Sequence, residues 1–434
     1  VVAVLGTHTF AGELIVAQDM AVSGATDLQT TGLSETQAII IDNGGTITLS
    51  GDDNSFIGFG AGTQTSITIN TGGKLTTADG TTSSFHLQNL TLAGGELGWG
   101  ALANNISLTD GSWLLNQAVA VTEDSVISAP QVTLNVGAGN AFDVSTGKTL
   151  NVTGFFKSGS LIKQGNGTMV LSGVNTYSGA TAVNAGTLRL GAADVLSDST
   201  QLSVASGATW DLAGFNETVG SIAGGGDITL GAAALTSCGA SGGTIFNGVI
   251  SGTGSLEKTG LSSTLTLSGL NTYEGVTKIH AGTLTVYDDT NLGAAPLTAT
   301  AGHLLIQDGA TLQLANDSFL NFITLNPNRG IELATGLGGE IEVMQNVEAT
   351  YGGVISGTGP LIKSGPGQLN FTGQSNTYAG GTTVRAGKLT GGAGTQTATI
   401  FGSGALTIDA GGTVEINRVV LSNDMVLNGG ILQA

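Results

Sequence analysis

One short stretch of the sequence contains the residue types of a nucleophilic serine site. Gly239-Ala240-Ser241-Gly242-Gly243 fits the Gly-x-Ser-x-Gly pattern, in which a strand-to-helix turn holds the serine hydroxyl above a sheet. No helical pattern follows this serine, and short motif matches arise by chance in a chain rich in glycine and serine. We therefore predict that the match is not a catalytic site and that the chain is not an enzyme.

Two pairs of adjacent carboxylates are the next candidates for chemistry. Asp52-Asp53 and Asp288-Asp289 each lie beside a turn. Glycoside hydrolysis needs two carboxyl groups about 5 to 10 Å apart, and the sequence does not fix that separation. Neither pair has the repeated aspartates and distal glutamate of a calcium loop. We expect both pairs to lie in solvated loops.

Metal and cofactor chemistry have little support in the sequence. The four histidines are scattered without the spacing of metal ligands, and Cys238 is the single cysteine. A single cysteine also excludes an internal disulfide framework. We predict no metal site and no cofactor.

The few basic residues are the best candidates for ligand contacts, because most of them fall in or beside one recurring segment. The chain has 12 lysines and arginines against 31 acidic residues. If these basic side chains share a face, they form a short strip that suits a sulfated or carboxylated glycan. Otherwise they serve to keep an acidic, polar surface soluble. The candidate ligand-binding residues are Arg189, Lys258, Lys278, His280, Arg385 and Lys388.

The overall charge and the lack of a long apolar run limit the classes of partner that we expect for this chain. The formal net charge is −19, whereas nucleic-acid binding depends on clustered lysine and arginine that release counterions from phosphates. No apolar run reaches the roughly 18 residues that a membrane-spanning helix needs. We therefore expect neither a nucleic-acid partner nor membrane insertion of this segment.

Glycine turns followed by alternating apolar and polar residues organise the whole chain. Glycine accounts for 72 of the 434 residues. Alternation is the period of a half-buried strand, and glycine supplies the positive φ that a tight corner needs. The turns recur within the window of about 20 to 50 residues that is typical of solenoids. We predict an all-β protein, a parallel β-helix that forms one elongated rod over residues 1–434. Examples of the short unit are "NGGTITL" from Asn43, "SGATWDL" from Ser206, "DGATLQL" from Asp308 and "AGGTVEI" from Ala410.

A longer segment occurs three times. The first copy is "LIKQGNGTMVLSGVNTYSGATAVNAGTLRLG" from Leu161, and the others begin near Ser255 and Pro360. Each copy opens with a lysine, continues through Asn-Thr-Tyr and closes on Ala-Gly. We predict that the asparagine and tyrosine close a turn or cover the edge of the core, and that the lysine has a structural or export-related role. The lysines are Lys163, Lys258 and Lys363; the apolar positions that we expect to point inward are Val183, Ile279, Val384, Leu188, Leu284 and Leu389.

This pattern resembles the passenger-associated transport repeat of bacterial autotransporters, the type V secreted proteins of Gram-negative bacteria, in the group that includes self-associating adhesins. The copies lie at about 157–191, 252–286 and 357–391. The resemblance implies a right-handed parallel β-helix that is exported to the bacterial cell surface or released. It also implies a membrane β-barrel after Ala434, and we expect no part of that barrel within residues 1–434. The Gly-Asp-Ser-Gly stretch of the protease members is missing from the sequence.

The resemblance does not fix the function, because the family includes adhesins, self-associating proteins and enzymes. Two functions remain open, and a glycan-cleaving enzyme ranks last. We expect a cell-surface adhesin that binds a host extracellular matrix protein such as fibronectin, or glycosaminoglycan-type glycans, through a long polar face. The alternative is self-association between β-helices, which would cause bacterial aggregation and biofilm formation. The net charge of −19 opposes self-association at low salt.

Overall fold

The residues that the structure describes fold into short β-strands joined by turns, with almost no helix. A computed structural model describes residues 2–5, 8–10, 14–16, 20–23, 28–30, 38–50, 66–77, 85–87, 89–99, 112–134, 140–239, 242–307, 309–316, 321–373, 375–392, 396–397, 399–417 and 419–434. The chain divides into two compact units, Val1–Ala213 and Gly214–Ala434. One short 3₁₀ helix, Asp289–Leu292, occurs in the described residues, and none of their helices is long and apolar enough to cross a membrane.

The first unit contains strands β1 to β25. The first twelve are β1 Val2–Leu5, β2 His8–Phe10, β3 Leu14–Val16, β4 Met20–Ser23, β5 Leu28–Thr30, β6 Ala38–Ile41, β7 Thr46–Ser50, β8 Ser66–Asn70, β9 Lys74–Thr77, β10 Phe85–Leu87, β11 Leu90–Ala93 and β12 Glu96–Leu97. The others are β13 Trp113–Leu115, β14 Val119–Glu123, β15 Ser125–Ile127, β16 Gln131–Leu134, β17 Ala141–Val144, β18 Thr149–Val152, β19 Phe155–Lys157, β20 Leu161–Gln164, β21 Thr168–Leu171, β22 Thr181–Val183, β23 Thr187–Leu190, β24 Gln201–Val204 and β25 Thr209–Asp211.

The second unit contains strands β26 to β50. The first twelve are β26 Glu217–Val219, β27 Ser221–Gly224, β28 Asp227–Thr229, β29 Ala234–Ser237, β30 Gly242–Phe246, β31 Ile250–Ser251, β32 Ser255–Lys258, β33 Ser263–Leu267, β34 Thr277–Ile279, β35 Thr283–Val286, β36 Thr300–Ile306 and β37 Thr311–Leu314. The others are β38 Phe322–Leu325, β39 Arg329–Leu333, β40 Gly339–Val343, β41 Glu348–Tyr351, β42 Ile355–Gly357, β43 Leu361–Ser364, β44 Gln368–Phe371, β45 Thr382–Gly391, β46 Gln396–Thr397, β47 Leu406–Ile416, β48 Val419–Val420, β49 Met425–Asn428 and β50 Ile431–Gln433.

Each strand pairs in parallel with the equivalent strand of the next coil. In the first unit, one sheet follows β6-β8-β11-β14-β17-β20-β22-β24. A second follows β7-β9-β12-β15-β18-β21-β23-β25, and a third follows β10-β13-β16-β19. Successive strands along the chain therefore go to different sheets, which is the arrangement of a coil that turns a corner after each short strand.

The second unit repeats this plan. One sheet follows β26-β29-β32-β34-β36-β39-β42. A second follows β27-β30-β33-β35-β37-β40-β43-β45-β47, and β38-β41-β44-β45 form a further parallel row. The predicted all-β parallel β-solenoid is thus confirmed. Its handedness and the single continuous rod stay predictions.

The core consists of apolar side chains stacked in ladders from coil to coil. Leu188 lies in register between Met169 and Trp210, and all three are 0% exposed. The six positions predicted to point inward, among them Val183 and Ile279, are likewise buried. Burying a side chain of this size contributes about 1.5 to 3 kcal/mol. A coil alone has no partner for this surface, so neighbouring coils stabilise one another.

Glycine at a corner is required where two coils approach closely. Gly186, the closing glycine of the first long segment, has φ 64°. A Cβ atom at this position would lie 2.4 Å from the carbonyl oxygens of both Gly165 and Gly167 in the preceding coil. Gly207 also has a positive φ, 82°, but a Cβ atom there would have nothing within 4 Å. Comparison of the two glycines therefore separates the effect of a left-handed backbone from the effect of close contact between coils.

We predict that Gly186→Ala destabilises the first unit by at least about 3 kcal/mol, since it adds a clash to the roughly 1 to 2 kcal/mol of a left-handed alanine. Gly207→Ala should cost only that conformational part. Urea unfolding followed through the fluorescence of buried Trp210 measures both variants. Equal losses in the two variants would show that the close coil contact at Gly186 has no energetic weight.

Candidate functional site

The lysine that opens each long segment is buried and binds the carbonyl groups of two successive corners. Lys163 Nζ donates to the carbonyls of Gln164 and Gly165, both at 2.7 Å, and to that of Ala185 at 3.1 Å. Ala185 belongs to the Ala-Gly corner of the next coil. The side chain of Lys163 is 0% exposed, and Lys163 stacks in register between Phe142 and Val183. The aliphatic part of Lys163 thus fills the core while its ammonium group joins two corners.

The other two copies repeat this arrangement. Lys363 Nζ donates to Ser364 O at 2.7 Å, Gly365 O at 2.9 Å and Ala386 O at 3.1 Å. Lys258 Nζ donates to the carbonyls of Thr259, Gly260 and Ala281 and to Ser263 Oγ. Burial lowers the pKa of each of these lysines to about 8, which still leaves the ammonium form dominant at neutral pH. The predicted structural role of the lysine is confirmed.

The asparagine of each Asn-Thr-Tyr joins three consecutive coils. Asn175 Oδ1 accepts from the backbone N–H of Phe156 at 2.7 Å, one coil earlier, and Nδ2 donates to Val195 O at 2.8 Å, one coil later. Asn271 makes the same contacts to Ile250 N and Asn291 O. Asn376 makes them to Ile355 N and Ile400 O. As predicted, the repeated asparagine closes a turn.

The tyrosine two residues later is buried and hydrogen-bonded to a buried threonine. Tyr273 Oη lies 2.7 Å from Thr277 Oγ1, which donates to Leu292 O at 3.3 Å. Equivalent contacts join Tyr378 to Thr382 and Tyr177 to Thr181. Burial raises the pKa of Tyr273 to about 12. The long segment is therefore a set of ties between coils, and its lysine, asparagine and tyrosine are not available to a ligand.

We predict that Lys163→Met destabilises the first unit by about 3 kcal/mol. Methionine preserves much of the apolar volume but leaves three partly buried carbonyl groups without their donor. The matched control is Lys74→Met, because Lys74 is partly exposed and pairs with Glu96 at 2.8 Å; such surface pairs are worth at most about 1 kcal/mol. Urea unfolding of both variants tests the difference, and a loss at Lys163 no larger than at Lys74 would contradict the assignment.

The candidate ligand-binding residues of the second unit lie on different sheets. Lys278 is on β34, and His280 follows that strand. Both contact one carboxylate: Lys278 Nζ lies 2.6 Å from Glu257 Oε1, and His280 Nε2 lies 3.2 Å from Glu257 Oε2. His280 Nδ1 also lies 2.7 Å from Gln307 Oε1. Although burial acts to raise it, contacts with Lys278 and His280 hold the pKa of Glu257 below its usual value.

Arg385 and Lys388 lie on β45, in the sheet that also contains β40 and β47. Arg385 Nη1 is 3.6 Å from Glu340 Oε2, and Lys388 pairs with Glu415. Arg189, in the first unit, lies on β23 with its Nε 3.6 Å from Asp211 Oδ2. Lys258 is 1% exposed and belongs to the buried lysines described above.

Each lysine and arginine in the described ranges has a partner inside the chain. Those at the surface make ion pairs or other contacts, and the others are buried among carbonyls or carboxylates. A ligand anion must therefore compete with a carboxylate at each surface cation that makes one of these ion pairs. In the second unit the structure brings Lys278 and His280 together, whereas Arg385 and Lys388 occupy another sheet.

The structure describes one of the two acidic pairs, and it describes neither the other pair nor the serine of the Gly-x-Ser-x-Gly match. Asp288 caps the 3₁₀ helix by accepting from Thr290 N at 3.0 Å. Asp289 binds the buried Arg329, so the prediction of a solvated loop is wrong for Asp289. Asp52-Asp53, and the serine of Gly239–Gly243, lie outside the described residues. No group of three or more metal-ligating side chains occurs in the part of the chain that the structure describes.

Sequence reasoning missed Arg329. This arginine lies outside the three long segments, directly after Asn326-Pro327-Asn328. It is 1% exposed, and its Nε lies 3.1 Å from Asp289 Oδ1 in the preceding coil. An isolated arginine at a turn, in a chain with so few cations, was the available signal. Its partner is distant in sequence and could be found only once the coils were aligned.

Comparison with known proteins agrees with the fold. The model of the passenger-associated-transport-repeat family matches at residues 161–190, 256–286 and 361–390. The chain is also similar to the Adhesin BmaC autotransporter of Brucella suis biovar 1 (strain 1330), with 33% identity over 341 residues. The match covers 77% of this chain and 9% of that protein, so the chain spans only a small part of its relative. No solved structure matches it.

The stacked parallel coils, the three repeats and the similarity to an autotransporter adhesin together support a passenger region of the autotransporter type. The chain therefore carries three passenger-associated transport repeats, and the predicted resemblance to an autotransporter passenger is confirmed. Passengers of this class are exported through the outer membrane, which places this chain at the cell surface or outside the cell.

Proposed function

We propose that this chain is the binding region of a cell-surface adhesin without enzymatic activity. Its target is a host extracellular matrix protein of the fibronectin type or a glycosaminoglycan-type glycan. The name of the matched Brucella relative, an adhesin, supports the general role. The observation that carries the proposal is the outward face of the sheets, where polar side chains stand in register over several coils.

A threonine ladder forms this face in the first unit. Thr149, Thr168, Thr187 and Thr209 are partners in register on four successive strands, and each is half-buried. Neighbouring strands lie about 4.8 Å apart. The ladder offers a row of hydroxyl groups, each able to donate and accept a hydrogen bond. An extended partner laid across the coils can make many weak contacts at once.

The second unit has a cluster of amide and carboxylate side chains on β41 and β44. Glu348 and Gln368 are partners in register. Gln368 Nε2 donates to Asn370 Oδ1 at 2.6 Å, and Asn370 Nδ2 donates to Glu348 Oε1 at 2.7 Å. These bonds orient the side chains and leave further donors and acceptors free for a partner.

A matrix protein fits these faces better than a sulfated glycan does. The net charge is −19, and the surface cations in the described residues already have partners. A glycosaminoglycan would have to displace a carboxylate at each contact, and repulsion by the remaining acidic groups opposes its approach. Binding of a sulfated glycan depends on the candidate residues that lie at the surface, which are Arg189, Lys278, His280, Arg385 and Lys388.

We predict that Arg385→Ala combined with Lys388→Ala lowers the affinity for a sulfated glycan such as heparin by about tenfold, because two cationic contacts are lost. Binding to immobilised fibronectin should change by less than about threefold. Surface plasmon resonance at physiological salt measures both, and Lys74→Ala is the control for loss of a paired surface cation. Unchanged heparin binding would show that Arg385 and Lys388 do not contribute to glycan binding. A larger loss of affinity for fibronectin than for heparin would show that these two residues matter more for the matrix protein than for the glycan.

Self-association is a second candidate, supported by the charge balance on the sheet with the threonine ladder. On that sheet Lys74 pairs with Glu96 at 2.8 Å and Arg189 lies 3.6 Å from Asp211. Although burial raises it, hydrogen bonds from Lys74 and Ser128 hold the pKa of Glu96 below its usual value. These opposite charges cancel locally, which reduces the repulsion that two copies of so acidic a chain would otherwise experience.

We expect sedimentation of the purified chain at micromolar concentration to show a monomer, because the net charge of −19 outweighs the local balance at low salt. A dimer whose population rises with protein concentration and with salt would favour self-association over binding to a host molecule.

A further inference from the structure

One corner of the second unit is held by a buried arginine that does not belong to any of the long segments. Arg329 opens β39 and is 1% exposed. Its Nε and Nη2 lie 3.1 Å from Oδ1 and Oδ2 of Asp289, the first residue of the 3₁₀ helix. This two-point contact fixes the guanidinium plane. Asp289 Oδ1 also accepts from the backbone N–H of Asn326 at 2.9 Å.

The same guanidinium group holds the segment that follows the 3₁₀ helix, residues 293–299. Arg329 Nη1 donates to Leu292 O at 3.0 Å, and Nη2 donates to Gly293 O at 2.9 Å. Asn328 Nδ2 donates to the carbonyls of Pro296 and Leu297 at 3.0 and 3.1 Å. The side chain of Leu297 itself is 98% exposed. The described polar contacts that hold this segment therefore come largely from the turn that contains Arg329.

His303 faces Arg329 from β36, and its partners define its protonation state. Arg329 Nη1 lies 3.3 Å from His303 Nδ1, and His303 Nε2 lies 3.2 Å from Glu274 O. A guanidinium group has only donors and a carbonyl only accepts. Nδ1 must therefore be the acceptor and Nε2 the donor. In this arrangement His303, which is 5% exposed, is the neutral imidazole with its hydrogen on Nε2.

A second proton on His303 is incompatible with these contacts. It would sit on Nδ1 and place an N–H opposite the Arg329 N–H, with two positive charges about 3.3 Å apart. Burial, followed by the charge of Arg329, lowers the pKa of His303, while the Glu274 carbonyl and the Asp289 carboxylate act in the opposite direction. Tyr273 and Tyr351 also face the cluster; burial raises the pKa of both, so they are neutral in acid.

We propose that Arg329, His303 and Asp289 form an acid-sensitive latch. Protonation of His303 displaces Arg329 from its acceptors and releases residues 293–299 from the body of the second unit. The latch thus makes one exposed corner of an exported protein respond to acidification. It acts independently of whether the ordered polar faces bind a host molecule.

Opening of the latch also affects the second long segment, because Asn271 of that segment is hydrogen-bonded to the 3₁₀ helix. Asn271 Nδ2 donates to Asn291 O at 2.6 Å, and Asn291 Nδ2 donates to Gly269 O at 2.9 Å. Asn291 lies within the 3₁₀ helix whose first residue binds Arg329. Opening of the latch therefore loosens the contacts between the asparagine of that copy and the following coil.

The direction of the effect follows from proton linkage. The pKa of His303 is below its ordinary value of 6.5 in the closed form, so the open form binds more protons as the pH falls below about 6.5. The closed form is fully favoured above that value and loses its advantage in acid. Each pH unit below 6.5 multiplies the equilibrium constant for opening by at most a factor of ten. At pH 5 this constant is therefore larger by up to roughly thirtyfold.

Hydrogen exchange of the whole chain tests the proposal. Amides of residues 289–299 should lose at least about tenfold in protection factor between about pH 8 and pH 5, while amides of β22 and β23 in the first unit keep theirs. The matched variant is His303→Gln, because the glutamine amide can accept from Arg329 and donate to Glu274 O without titrating. We expect His303→Gln to remain protected at pH 5.

Two outcomes of the exchange experiment would overturn the latch. One is equal loss of protection in His303→Gln and the parent chain, which would assign the effect to Asp289 or another carboxylate. The other is retention of protection by the parent chain at pH 5. Nitrogen-15 NMR of the imidazole groups provides a check that needs no variant, since the chain has only four histidines. His303 should show a protonated Nε2 and an unprotonated Nδ1 at neutral pH, and the opposite tautomer would also reject the proposal.

Discussion

Hydrogen bonding between successive coils is the constraint on which this protein depends. A parallel strand in a solenoid obtains its partners from the coils before and after it, and the corners between strands need partners as well. The buried lysines meet that need at three corners, where one ammonium group serves carbonyls of two coils. The asparagines do so for three coils at a time. Many polar groups of the corners are thereby satisfied inside a chain that has no disulfide bond, since Cys238 is its single cysteine.

The sequence was sufficient to predict the stacked parallel coils and the inward half of the repeat. Strand alternation, corner glycines and the matching apolar positions, such as Leu188 and Leu284, all report local properties of a coil and were predicted correctly. The structural roles of Lys163 and Asn175 followed from their repetition at fixed places. Their individual bond partners did not, because each bond reaches a different coil.

The outward chemistry was much harder to predict, for a physical reason. Coil lengths vary, so spacing in sequence does not fix which outward residues become neighbours. A basic strip was predicted only on the condition that the candidates share a face, yet Lys258 is buried and Lys278 shares Glu257 with His280. Arg329 and Asp289 lie far apart in sequence but in contact in space. A surface that cancels its few cations with nearby carboxylates favours partners recognised by hydrogen bonds and shape over partners recognised by negative charge.

The buried lysines have a practical consequence for following this protein in solution. An amine whose hydrogens are all committed to carbonyl oxygens, and whose stem is packed among aliphatic groups, is shielded from acylating reagents until its corner opens. Lys163 reports on the first unit, and Lys258 and Lys363 report on the second. Mass spectrometry of the labelled chain could therefore time local fraying at three native positions without any introduced probe.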